Sequence, residues 1–141
     1  MNEGLLREHV KWAEAASGPE LYPYKDSVGV LTIGYGRNLD DNGISRDEAE
    51  LMLVNDLDAA IADAMTLPYW DRLSPVRQLV LSDMSFNLGL PRLLKFKKMH
   101  AALEVGDYSL AAHEMMDSKW YRQTERRAKV LVRAMQTGIW Q

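Results

Sequence analysis

The chain has 141 residues, no cysteine and a formal net charge of −3, with 47% hydrophobic and 26% charged residues. That length suits one domain, or two small lobes sharing helices, with room for a real core. The missing cysteine excludes disulfides and thiolate metal sites, the mildly acidic balance excludes a strong nucleic-acid footprint, and no apolar run is long enough to span a membrane. No basic stretch followed by an apolar core opens the sequence, so no secretory signal is expected. Residues 4–16 read as an amphipathic helix, with Leu6, Val10 and Ala13 at helical spacing and Gly18-Pro19 as its stop. Glu14 lies in the last turn of that helix, at the border of the apolar face. A carboxylate there faces the negative end of the helix dipole, which disfavours its charged form. A group so placed suits the part of a general acid.

Residues 24–36 read as a tight β-hairpin. Ser27-Val28-Gly29 forms its turn, with Gly29 free to take positive φ. Beyond the turn the side chains alternate: Val30, Thr32 and Gly34 point one way, and Leu31, Ile33 and Tyr35 the other. Asp26 precedes Thr32 by six residues. A reversal between them sets the two side by side on adjacent strands, where a carboxylate and a hydroxyl can hold one water. Gly34 and Gly36 leave space for a ligand or another backbone to approach. The polar turn 37–43 hints at a calcium loop. The glutamate that such a loop requires six residues after its glycine is replaced by Ala49, so no metal site is expected.

Ser45-Arg46-Asp47-Glu48 is a capping box. It opens a helix through about Met65, with Leu51, Val54, Leu57, Ile61 and Met65 on one face and Leu67-Pro68 beyond its end. Ser74-Pro75 starts a further helix, since Pro suits the first helical position. Leu79, Val80, Met84 and Leu88 give it a broad apolar surface, and Phe86-Asn87-Leu88-Gly89 marks its end. Helices are expected at about 92–104, 107–117 and 124–136, with Asp107 and Thr124 as caps and Gly138 as terminator. Trp120, Tyr121 and Trp140 read as core anchors. The class is α+β, mostly α, with strand confined to the hairpin region.

Several motifs together resemble the phage-type lysozymes, glycoside hydrolase family 24. They are Tyr24-Lys25-Asp26, Thr32-Ile33-Gly34 with Gly36, Asp47-Glu48-Ala49-Glu50, and Phe86-Asn87-Leu88-Gly89. Ser118-Lys119-Trp120-Tyr121, Gln123-Thr124, Arg127-Ala128-Lys129 and Thr137-Gly138-Ile139-Trp140 complete the set. The resemblance implies a lysozyme-like fold over residues 1–141. A small lobe of about 14–57 carries the hairpin, a long helix connects, and a larger helical lobe of about 66–141 takes in helix 4–13.

The resemblance also implies a muramidase that hydrolyses the β-1,4 bond between N-acetylmuramic acid and N-acetylglucosamine in bacterial peptidoglycan, with inversion. Such an enzyme keeps its two carboxyl groups roughly 6.5–9.5 Å apart, to admit a water. The family's catalytic pattern of Glu, Asp or Cys, then Thr falls on Glu14, Asp26 and Thr32. The usual spacing would put the Glu at Ser17, so the match to Glu14 needs three extra loop residues, and Glu20 is the rival. Phe86, Asn87 and Tyr35 are expected to contact substrate, and Arg127 to support the acid. No cofactor, nucleic-acid partner or membrane insertion is implied, and a monomer is expected, made in the host cytoplasm and acting on the wall after release. The alternatives are a lytic transglycosylase-like enzyme and a catalytically dead peptidoglycan-binding protein.

Overall fold

The computed structural model describes residues 1–141, which divide into two compact units, Met1–Leu51 and Met52–Gln141. The first unit holds helix α1 (Glu3–Ala15), strands β1 (Glu20–Lys25), β2 (Leu31–Gly34) and β3 (Arg37–Asn38), and the short helix α2 (Leu39–Asn42). Helix α3 (Arg46–Met65) starts in the first unit and ends in the second. By this division α1 groups with the sheet, where the expected lobes place it with the larger helical part.

Asn2 starts α1 by accepting the Leu5 N–H on its side chain at 3.0 Å. The expected apolar face of the helix is not buried: no residue of α1 is, and Leu5, Leu6, Val10 and Trp12 are all exposed. The three strands form an antiparallel sheet in the order β1-β2-β3, one strand more than the hairpin alone predicts. Tyr24 pairs with Thr32 and Lys25 with Leu31, and a bulge lies between Glu20 and Tyr24. Thr32 and Ile33 pair in turn with Asn38 and Arg37. The residues expected to form only a polar turn make β3 and α2 instead. Asn38 provides the reason, since its side chain accepts the Asp41 N–H at 2.9 Å and caps the new helix.

The capping box is present: Ser45 Oγ accepts the Glu48 N–H and Glu48 Oε1 accepts the Ser45 N–H. Arg37 adds a two-pronged ion pair to it, with its NH1 2.9 Å from Glu48 Oε1 and its NH2 2.8 Å from Oε2. This partner, with the Ser45 amide, holds the Glu48 carboxyl down to about 2.

In the second unit a 3-10 turn (Trp70–Arg72) leads to α4 (Pro75–Leu88), α5 (Leu90–Leu93), α6 (Lys97–Glu104), α7 (Tyr108–Met116), α8 (Lys119–Gln123) and α9 (Glu125–Thr137). Its core is built on Tyr69, Leu81, Met84, Leu93, Met115 and Leu131, with Trp120 and Met135. Only Ala60 and Ala64 of α3 are buried, four residues apart on one side. The expected stripe Leu51, Val54, Leu57, Ile61 and Met65 is exposed. The covered side of α3 is therefore the one that carries these two alanines.

The helix expected over 92–104 is broken at Phe96, whose ψ of 58° lies outside the helical range. Its ring packs edge-on against Trp120, 6.1 Å between centroids. Thr124 does not cap α9 through its side chain; its hydroxyl donates back to the Trp120 carbonyl and closes α8. Asp107 does cap α7, accepting the Leu110 N–H. Trp120 is buried as expected and Tyr121 half-buried, but Trp140 is about half exposed. Gly138 explains this: its left-handed backbone turns the chain out of α9 before Trp140 can reach the core. Arg77 clamps that helix end. Its guanidinium lies 3.7 Å over the Tyr108 ring and donates to the carbonyls of Met135 and Gln136.

Candidate active site

Four of the expected site residues, Glu14, Asp26, Thr32 and Tyr35, belong to the first unit, and Phe86, Asn87 and Arg127 to the second. The hairpin turn is organised by Asp26. Its Oδ1 accepts the N–H groups of Val28 and Val30, each at 2.9 Å, and its own N–H donates to the Val30 carbonyl. Gly29 takes φ 85°, as the turn requires. One carboxylate oxygen thus fixes the loop, and Oδ2 has no protein partner.

Thr32 is 5% exposed, and its hydroxyl donates to the Val30 carbonyl at 2.8 Å. Its proton is therefore committed, and the oxygen can only accept from anything else that approaches. Because Tyr24 faces Thr32 across the strands and Asp26 lies two residues beyond Tyr24, Asp26 and Thr32 are diagonal neighbours on one face. The N–H of Leu31, between them in sequence, is taken by Asp40 Oδ2 at 2.9 Å, a support that the sequence reading did not include.

Glu14 stands in the last turn of α1, as expected, and is exposed. Its carboxylate lies against Gly36: a Cβ on that glycine would sit 2.8 Å from Glu14 Oε2 and 3.1 Å from Cδ. Gly36 has φ 81°, so it is doubly suited to glycine. One turn earlier, Lys11 Nζ sits 5.8 Å from the centroid of the Tyr35 ring. Helix end and β2–β3 turn therefore meet through Lys11–Tyr35 and Glu14–Gly36. Glu20, the rival acid, is exposed at the start of β1 and faces Gly34 in the register.

In the second unit, Asn87 Oδ1 accepts the indole N–H of Trp120 at 2.8 Å, which leaves the amide Nδ2 free to donate. Arg127 Nε donates to Asp83 Oδ1 at 2.6 Å, and its guanidinium lies 5.7 Å from the centroid of Phe86. Asp83 was not among the expected residues. It precedes Phe86 and Asn87 by three and four positions, so helical spacing alone puts all three on one face of α4.

The structure thus defines a mostly helical α+β chain with Glu14 at the end of its first helix and Asp26 and the buried Thr32 on a small antiparallel sheet. The sequence profile of the phage lysozyme family matches residues 14–137, and the chain belongs to that family. It is 31% identical over 115 residues to the pre-baseplate central spike protein Gp5 of Enterobacteria phage T4, covering 77% of this chain and 20% of that protein. Over 163 aligned residues it is 28% identical to the probable T4-type lysozyme 2 of Dictyostelium discoideum and 26% to the probable T4-type lysozyme 1, covering 94% of each chain. The chain therefore spans about a fifth of the spike protein and nearly all of the two lysozymes. No helix is long and apolar enough to cross a membrane.

Proposed function

We propose that the protein is a muramidase, cutting the β-1,4 bond between N-acetylmuramic acid and N-acetylglucosamine in peptidoglycan with inversion. The observation that carries this reading is the Glu14 carboxylate seated on Gly36, in the same unit as Asp26 and Thr32. Glu14 is the general acid and gives its proton to the leaving glycosidic oxygen. A helix end backed by a glycine turn fixes a side chain better than the start of an exposed strand, which favours Glu14 over Glu20.

Asp26 and Thr32 handle the nucleophilic water. Thr32 already donates to the Val30 carbonyl, so the water donates one proton to Thr32 Oγ1 and the other to Asp26 Oδ2. Its lone pair is then left for the anomeric carbon. As the C–O bond forms, the glycosidic bond breaks, Asp26 takes a water proton and the leaving oxygen takes that of Glu14. The two backbone N–H groups on Asp26 Oδ1 keep the carboxylate from rotating during this step.

Phe86, Asn87 and Tyr35 contact the glycan, with Asn87 Nδ2 available to an N-acetyl carbonyl. Arg127 is the supporting residue, its orientation set by Asp83. The test is Glu14→Gln, followed by clearing of a peptidoglycan suspension and by circular dichroism. The expected outcome is loss of lysis with the helical signal intact. Lysis that survives in Glu14→Gln and disappears in Glu20→Gln would overturn the assignment.

A further inference from the structure

A hollow of about 560 Å³ opens within the first unit, beside the proposed reaction centre. Its walls are the chain leaving α1, Glu14 through Gly18, together with Glu20 and Tyr24 of β1. That volume lies in the range of sites that take small molecules, roughly 300–1,000 Å³. Most of its lining belongs to the loop 15–21, where the match of Glu14 to the family pattern implies three extra residues.

We propose that this hollow is a sugar subsite, in which a pyranose ring of the glycan lies on Tyr24 and donates a hydroxyl proton to Glu20. Three observations lead there. Tyr24 is 37% exposed and lines the hollow. An aromatic face carries partial negative charge and attracts the polarised C–H groups of a sugar ring. The sheet register slips between Glu20 and Tyr24, and a bulge of this kind re-aims the side chains beside it. Glu20 has no protein partner for its carboxylate, and an ionised carboxylate is an acceptor only, which matches the hydroxyl donors of a sugar. Glu14 lines the same hollow, so a ring held there lies next to the bond that Glu14 is proposed to protonate. The inference rests on the muramidase reading for the identity of the glycan, and Glu20 is here a binding residue with no part in proton transfer.

The experiment uses the full chain and a soluble, uncrosslinked glycan of alternating N-acetylglucosamine and N-acetylmuramic acid. Glu20→Ala removes the acceptor, Glu20→Gln keeps one, and Ala16→Trp fills the hollow from an exposed position. The expected result is a KM raised about tenfold in Glu20→Ala and in Ala16→Trp, the weight of one hydrogen bond to a charged acceptor. Most of the loss returns in Glu20→Gln, and kcat and its alkaline limb stay in place. If wild-type protein binds the glycan without turning it over, and Glu20→Ala and Ala16→Trp weaken that binding tenfold in a titration followed by NMR, the subsite stands and the muramidase reading falls. An unchanged KM in Glu20→Ala overturns the subsite whatever Ala16→Trp does. A collapse of kcat in Glu20→Gln with loss of the alkaline limb makes Glu20 the acid and overturns it equally.

Discussion

Gly36→Ala is the perturbation that asks most of the proposed site. A methyl group added there would lie 2.8 Å from Glu14 Oε2, closer than real Cβ atoms approach, and a tight 3.1 Å from its Cδ. The backbone at φ 81° adds strain for any residue with a Cβ, about 1–2 kcal/mol. The obstacle is the tip of a flexible side chain on an exposed helix end, so the carboxylate moves and the sheet survives. Stability should therefore fall by little more than the backbone term, roughly 3–7 °C in Tm for a chain of this size. Activity should fall much further, since a misplacement of about 1 Å at a reacting group costs on the order of a hundredfold. Gly34→Ala is the control: its φ of 70° imposes similar strain, but an added Cβ there meets nothing within 4 Å. The assay is initial-rate lysis of purified peptidoglycan at a temperature where calorimetry shows all three proteins folded. Equal losses in the two variants would refute the claim that Gly36 seats the acid.

Trp120→Ala should cost about 3–5 kcal/mol in urea unfolding, the range for a large aromatic removed from a core, and Trp140→Ala less than about 1 kcal/mol, because Trp140 is half exposed. The carboxyl of Glu48 is held at about 2, below its ordinary value, so its contribution is present above about pH 4.5 and is lost as pH falls through 2. The Tm gap between wild type and Glu48→Gln should accordingly be open at pH 6 and close as pH falls from 4.5 to 2; a gap that widens on acidification contradicts the sign. Thr32→Val keeps the buried shape and removes the hydroxyl that is proposed to receive the water, so kcat should fall with KM nearly unchanged. Proton NMR of the wild-type reaction should show the α-anomer first, and a first product in the β form would rule out inversion.

The sequence by itself determined the features set by contacts within one turn or one hairpin. The Ser45–Glu48 box starts α3, Ser74-Pro75 starts α4, Gly138 ends α9, and Gly29 closes the hairpin turn. Each depends on partners three or four residues away, so spacing alone predicts it. The family and the mostly helical class were legible for the same reason, as short motifs whose local chemistry is specific.

Only the tertiary structure decided which surfaces are covered and which distant groups meet. Periodicity marks a stripe on α3 as apolar, but the side that the rest of the chain covers carries Ala60 and Ala64. Phe96 leaves the helical conformation and packs on Trp120, 24 positions away, which no propensity at 92–104 foretells. Arg127 finds Asp83 across 44 positions, and Arg77 finds the end of α9 across 58. The seat of Glu14 on Gly36 belongs to the same group: a helix end and a glycine turn each look ordinary in sequence, and only the folding of one against the other puts a carboxylate where a Cβ would be.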